Sequence, residues 1–309
     1  MAEGNVSLKK LKFRFISCFF LSIIMYIASS AGFIYGYKLT TTPVLAVLLF
    51  HDVLEKPQAP WEITSDKLNY YIDRLLALKY KPVDPNNFEK MLNSDFEGRH
   101  FMVTFDDGSE NEYQAIENLY KKYGIKSVLF ILEDRFGVPR NITVEGIQNL
   151  QKNCGTYLGF HGRYHKKYTE QLKENPEFGR ITEESRIKLS KIFNCSLKWI
   201  AYPFGDYNQR VIDELRNKTA ADLAFTIESG NIDRSTDRMK LNRYMYLGGQ
   251  DPKGDDKDFE IGLLPPQEYS NGQLIITLSA MVFFFAISRS YLCWKYYKAL
   301  AILRIRSEE

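Results

Sequence analysis

Strand-like and helix-like signals alternate between residues 44 and 246, and this alternation is the tightest constraint on the fold. The apolar run from Val44 to Phe50 reads as a buried strand, and Leu68, Ile72, Leu75 and Leu76 mark one face of a helix from about Ser65 to Lys79. A second strand, His100 to Val103, precedes a helix carrying Tyr113, Ile116, Tyr120 and Tyr123, which Gly124 stops. Further strands are expected at Ser127–Ile131, Tyr157–Phe160, Leu197–Ala201, Leu223–Ile227 and Lys240–Tyr246, separated by helices at Val144–Asn153, Thr182–Phe193 and Asn208–Asn217. Strands joined through helices pair in parallel with right-handed crossovers, so the expectation is an α/β barrel or an open doubly wound sheet.

Charge divides the chain into a middle and two ends. Residues 1–14 and residues 289–309 each carry a net +3, which leaves the middle at −3 and without a basic footprint for nucleic acid. No charge interrupts residues 15–37, a stretch long enough to cross a bilayer of about 30 Å. With basic residues before it, this segment reads as an anchor whose amino terminus stays cytoplasmic while the following domain is translocated. A cleaved signal peptide is the competing reading, with Ala28-Ser29-Ser30-Ala31 as a small-residue site. Residues 273–294 form a second apolar stretch that is marginal as a span, and an interfacial or packed helix is its alternative. The basic tail, 295–309, follows it as a return to the cytoplasm would require, so both spans would contact membrane lipid. Residues 248–272, rich in Gly, Asp, Lys and Pro, read as a linker, and the domain between the spans is bounded at 43–247. The sequence identifies no protein partner.

Cys154 and Cys195 are the cysteines of that middle domain, and they fit either a disulfide in an oxidising compartment or two free thiols.

The chemistry gathers at strand ends. Thr104-Phe105-Asp106-Asp107-Gly108 sets two adjacent carboxylates where a strand turns, and His161-Gly162-Arg163-Tyr164-His165 sets two of the chain's 4 histidines after another apolar run. Taken alone, an Asp-Asp-Gly is usually turn chemistry and a His-x-x-x-His is common by chance. Together at one rim, a carboxylate and two imidazoles form a three-ligand set with a position open to water, as catalytic zinc requires.

These two motifs, followed by Ala201-Tyr202-Pro203-Phe204-Gly205-Asp206-Tyr207, occur in the order found in polysaccharide deacetylases. Residues 43–247 thus resemble the NodB-homology group, carbohydrate esterase family 4, and most nearly its poly-β-1,6-N-acetylglucosamine deacetylase-like permuted subgroup. The resemblance implies a deformed (β/α) barrel, here flanked by transmembrane helices, and metal-dependent removal of acetyl groups from an N-acetylated glycan. It implies Asp106 as general base and Asp107, His161 and His165 as ligands of a divalent metal, with zinc expected. Phe204, Tyr202 and Tyr207 would serve the oxyanion and the substrate. Tyr164 and Trp199 are further candidates for stacking on sugar rings, although aromatic side chains near strand ends are more often packing.

The sequence departs from the family pattern in three places. Gly162 stands where the family usually has Ser or Thr, and Ala201 and Tyr202 occupy the neighbourhood of an arginine that braces the base. Arg243 is either its substitute or an ordinary surface or salt-bridging residue. No histidine follows His165, so the late Leu-x-His motif is absent, but Leu49-Phe50-His51 has the same form at the first strand's end. A closed barrel tolerates such a permutation, and His51 would then be the general acid. His100 would sit at the opposite end of the barrel, preceding its strand.

The expected activity is N-deacetylation on the extracytoplasmic side of a membrane. The alternatives are a catalytically degenerate carbohydrate-binding relative, a deacetylase of a lipid-linked sugar or peptidoglycan, and a membrane scaffold that leaves the carboxylate and imidazole arrangement unexplained.

Overall fold

The computed structural model describes residues 43–245 and, near the carboxyl terminus, residues 289, 291, 292, 294–296 and 298. The anchor at 15–37, the segment 1–14 and the linker at 248–272 lie outside the described residues, as do most of 273–294 and 295–309. The described residues of those carboxyl-terminal segments are helical and exposed. Among the described residues no helix is long and apolar enough to cross a membrane.

The strands are β1 (Val44–Phe50), β2 (Lys81–Pro82), β3 (Arg99–Asp107), β4 (Ser127–Leu132), β5 (Tyr157–Gly162), β6 (Trp199–Ala201), β7 (Leu223–Phe225) and β8 (Tyr244–Met245). The helices are α1 (Ser65–Ala77), α2 (Pro85–Leu92), α3 (Glu110–Tyr123), α4 (Val144–Cys154), α5 (Tyr168–Glu174), α6 (Phe178–Phe193) and α7 (Gln209–Lys218). The strands form one parallel sheet in the order β7-β6-β5-β4-β3-β1-β8, with β2 pairing the start of β3. The chain before β8 bridges β7 through Leu241 and Phe225, and β8 itself pairs with β1. One short segment therefore bonds both edges, which curls the sheet into a half-barrel.

Burial on both faces explains the continuous apolar strands. Along β1, Ala46, Leu48 and Phe50 pack in one cluster with the helices, while Leu45 and Val47 join Met102, Val128, Phe130 and Phe225 in a second cluster inside the curl. The same alternation along β3 sends Phe101, Val103 and Phe105 toward the helices and leaves Met102, Thr104 and Asp106 facing inward. Local signals end the helices. Thr64, Thr143 and Asn208 accept backbone N–H bonds at the starts of α1, α4 and α7, and Gly124 and Gly155 take left-handed conformations at the ends of α3 and α4.

Three expectations need correction. The final strand is far shorter than Lys240–Tyr246 because Leu241 serves one sheet edge and Tyr244–Met245 the other. The strand at Leu223 ends at Phe225, since Thr226 turns its N–H to the Leu241 carbonyl. Helices α2 and α5 were not expected, although Asp84 caps α2 and Pro85 opens it. Cys154 and Cys195 are both free thiols.

Candidate metal and catalytic site

Register brings the chemistry together. Phe50 pairs with Phe105, so His51 and Asp106 emerge side by side from the ends of β1 and β3. Asp106 pairs with Phe130 across β3 and β4, and between Ile131 and Leu132 the pairing with β5 slips past His161. That bulge re-aims the imidazole at the rim. Asp107 would face the helices by strict alternation, but its φ of 87° turns the chain and swings its carboxylate toward the histidines.

Asp106 is held in a dry bidentate pair. Both its oxygens accept from Arg243, Nη1 to Oδ1 and Nη2 to Oδ2, each at 2.7 Å. Arg243 is itself fully buried, donates Nε to the Thr226 carbonyl at 2.8 Å and Nη1 to Thr104 Oγ1 at 3.2 Å, and lies over the Phe130 ring. Thr104 Oγ1 in turn donates to the Leu48 carbonyl. Burial alone would raise the Asp106 pKa, but the charges of Arg243 and His161 hold it below the ordinary carboxylate value. Arg243 is thus a buried partner of Asp106 rather than a surface residue.

Asp107 is the opposite case. Its side chain is 27% exposed, and Oδ1 has no hydrogen-bond partner although it stands 3.4 Å from His161 Nε2 and 3.3 Å from His165 Nε2. The donor atoms of Asp107, His161 and His165 all lie within 4.8 Å of one another. Two ligands each about 2.1 Å from a tetrahedral ion stand about 3.4 Å apart, so this spacing fits a divalent cation. His161 Nδ1 lies 2.9 Å from the Ala201 carbonyl, which fixes the ring with Nε2 toward the carboxylate. Despite burial, Asp107 is held well below the ordinary carboxylate range by its contact with His161 and the charges of the histidines. Burial would lower His161, yet Asp106 and Asp107 draw it up, so a positive charge is favoured at this point. An oxygen and two imidazoles form a donor set that divalent metal ions accept.

His51 has a buried Nδ1 with no partner, and burial lowers its pKa against the pull of Asp106 and Asp107. Asp52 beside it accepts instead from Ser109 Oγ and Asn111 Nδ2. His100 lies near the start of β3, inside the strand rather than before it, edge-on to Phe96 and remote from Asp106 at the strand's other end.

The aromatic candidates separate by burial. Phe204, 53% exposed and in a left-handed conformation, stacks on His165 at 4.3 Å between centroids. Tyr164 is 46% exposed. Tyr202 is fully buried and donates its hydroxyl to the Met239 carbonyl, so its ring packs the interior instead of meeting a substrate. Trp199 is likewise buried, with Nε1 donated to Glu89. Tyr207 stacks on Tyr202 and donates its hydroxyl to Glu228.

Gly162 has a structural reason. Its φ of 130° strains any L side chain, and a Cβ would meet the Tyr164 carbonyl at 3.2 Å and the Tyr168 hydroxyl at 3.3 Å. A Ser or Thr would therefore require a different backbone. The sequence reasoning missed Thr104, Glu112 and Arg135. Glu112 is fully buried on α3 and accepts the Gly108 N–H at 3.0 Å just after Asp107. Burial and the charges of Asp107, Asp52 and Asp106 raise its pKa well above the ordinary value, so it stays neutral behind the motif. Its position three residues into a helix after the Asp-Asp-Gly was the available signal.

The fold is an α/β half-barrel whose rim carries an aspartate and two histidines that could hold a metal ion, beside a braced carboxylate. Residues 93–221 match the family model for polysaccharide deacetylase. The chain is 24% identical over 207 residues to YxkH of Bacillus subtilis (strain 168), a protein assigned by name to the polysaccharide deacetylases, across 66% of this chain and 72% of that one. The structure of Streptococcus pyogenes deacetylase PplD in complex with acetate is similar, with TM-score 0.62 at 21% identity over 72% of this chain and 100% of that chain. IcaB from Ammonifex degensii gives 0.59 at 19% identity over 75% and 97% of the two chains. Residues 93–221 therefore match a polysaccharide deacetylase domain, and the wider similarity to YxkH and to the PplD structure extends over 66% and 72% of this chain.

Proposed function

We propose that this protein hydrolyses the acetamide of an N-acetylated glycan, using a divalent ion, with zinc expected, and a base–acid pair of Asp106 and His51. The observation that carries this reading is the contrast at the rim, where Asp106 is locked by Arg243 while its neighbour Asp107 faces two imidazoles with an unpaired oxygen.

Asp107, His161 and His165 would hold the ion, which supplies Lewis acidity to the acetamide carbonyl and to a nearby water. Asp106 takes a proton from that water as it attacks the carbonyl carbon. Arg243 keeps the carboxylate ionised and fixes its plane, so no reorientation is needed. A backbone N–H at Phe204 helps hold the oxyanion, and Phe204 and Tyr164 offer exposed rings to the sugar. His51 protonates the leaving nitrogen. Burial lowers the His51 pKa, so the proton it gives to the leaving nitrogen is the one that Asp106 removed from the water, passed on to His51 before the C–N bond breaks, and Asp106 lies within its electrostatic reach. Bond breaking then yields acetate and a free amino sugar.

The two apolar stretches at 15–37 and 273–294 support a location in a membrane, with the domain on the extracytoplasmic side. Reporter tags on both termini should stay protected while the domain is accessible; an exposed carboxyl-terminal tag would rule out the second crossing. For the chemistry, His51→Ala should keep metal and fold while acetate release falls by about 10²–10⁴-fold. Near-normal turnover per metal-loaded molecule would refute the role of His51.

A further inference from the structure

The start of α3 spells Ser109-Glu110-Asn111-Glu112, the Ser-x-x-Glu pattern of a capping box. In such a box the serine hydroxyl accepts an N–H of the first turn, and the glutamate reaches back to the N–H of the serine itself. Neither bond is made among the described residues. Ser109 occupies the N-cap position without a side-chain capping bond, and its hydroxyl donates to Asp52 instead. Glu112 reaches one residue beyond Ser109 and accepts the Gly108 N–H at 3.0 Å. Both arms are thus diverted from the helix to the rim, one to the neighbour of His51 and the other to the neighbour of Asp107.

The Gly108 amide belongs to the peptide that joins Asp107 to Gly108, and both residues have a positive φ, 87° and 80°. Glycine takes such a φ freely, whereas an aspartate keeps it only where its surroundings impose it. Two bonds fix the chain just past Asp107: Glu112 takes the Gly108 N–H, and the Gly108 carbonyl accepts the Ile142 N–H at 2.9 Å. A Cβ at Gly108 would meet nothing closer than Ile131 Cγ2 at 3.8 Å, so hydrogen bonds rather than packing pin this residue. Glu112 is fully buried and its Oε1 has no partner, a cost that an apolar side chain of similar size would avoid. The bond to Gly108 is what offsets it.

We infer that Glu112 is a positioning residue for the metal site: through the Gly108 N–H it holds the turn in which Asp107 Oδ1 stands between the imidazoles of His161 and His165. The inference rests on the metal-dependent deacetylase reading and adds to it a residue on which ion affinity depends. The bond needs only an acceptor of the right length, so an amide serves as well as a carboxyl.

The test is the zinc affinity of the full chain, measured by competition with a chromophoric chelator. Glu112→Met removes the acceptor at similar volume and should weaken zinc binding about 10–100-fold, the usual effect of losing a group that orients a metal ligand. Glu112→Gln restores the acceptor and should bind zinc as the parent does. Asn208→Ala is the structural control: it removes the cap that accepts the Val211 N–H at the start of α7, and should lower the melting temperature without weakening zinc binding. Unchanged affinity in Glu112→Met, or the same loss in Glu112→Gln, would overturn the inference, as would a loss in Asn208→Ala equal to that in Glu112→Met. If Glu112→Met does not fold, Glu112→Asp, one methylene too short to reach Gly108, takes its place with the same expected loss. Acetate release from N-acetylglucosamine oligosaccharides by the unsubstituted chain tests the deacetylase reading separately: zinc binding that depends on Glu112 without any release would defeat that reading and leave the positioning role standing.

Discussion

Asp106 and Asp107 are the same residue type one peptide apart, yet they occupy opposite physical regimes. Asp106 faces inward, is 2% exposed, and has both oxygens filled by a guanidinium that is itself held by the Thr226 carbonyl and Thr104. Asp107 itself takes a positive φ, is partly exposed, and keeps an oxygen without a hydrogen bond between two imidazoles. The difference teaches how one short motif divides its labour. A carboxylate whose geometry is completed by protein is positioned to work on a proton, whereas one left incomplete is positioned to take an ion.

The largest effect expected from this contrast is on metal content. Purified full chain should carry about one divalent ion, and Asp107→Asn or His161→Ala should abolish both the ion and acetate release, because three protein ligands are the minimum for a catalytic site. Elemental analysis decides it. Full occupancy in either variant would break the comparison at its open end.

The closed end breaks differently. Arg243→Met should cost about 3–5 kcal/mol of stability, since it strands a buried carboxylate, and chemical denaturation measures this directly. In metal-free protein Asp107→Asn should cost less, because this carboxylate is partly exposed and has only its charge contacts with His161 and His165 to lose. Equal losses would mean that the two aspartates are not distinct in kind.

Legibility follows the same division. The strands, the Asp-Asp-Gly and the histidine pair were readable because each is local: alternation, a turn residue and short spacing act within a few positions. The brace was not. Arg243 reaches Asp106 across 137 residues, and Lys240 to Tyr246 reads as one continuous strand although it is shared between two sheet edges. Tyr202 lies in a motif that invites a substrate role, but only its packing beneath Tyr207 and its bond to the Met239 carbonyl reveal that it is core. Such assignments depend on tertiary burial, which no window of sequence contains.

Acid sharpens the comparison further. The folded-state pKa of Asp106 is depressed, so its pairing stabilises the protein above the ordinary carboxylate value and is lost as pH falls from there through the folded value. With Arg243 replaced by Met, burial dominates and the Asp106 pKa rises, so this residue's contribution changes sign and the variant's deficit should shrink as pH falls. Denaturation of both proteins from pH 7 down to about 4, without metal, checks it. A deficit that stays constant with pH would show that the pair carries no such linkage.

The smallest effects concern the two aromatics of the third motif, which repeat the closed and open contrast on a modest scale. Tyr202→Phe removes a buried hydroxyl from the Met239 carbonyl and should cost about 1 kcal/mol of stability with KM unchanged. Phe204→Ala removes an exposed ring stacked on His165 and should leave stability nearly intact. Its expected signature is a KM for N-acetylated oligosaccharides raised by about two- to tenfold, the value of one aromatic contact. Because Phe204 also supports the His165 ring, metal content must be measured in the same samples. A KM rise at full metal occupancy assigns the ring to the sugar; a rise that tracks metal loss assigns it to the ligand, and then the open side of the site is built by packing as much as the closed one.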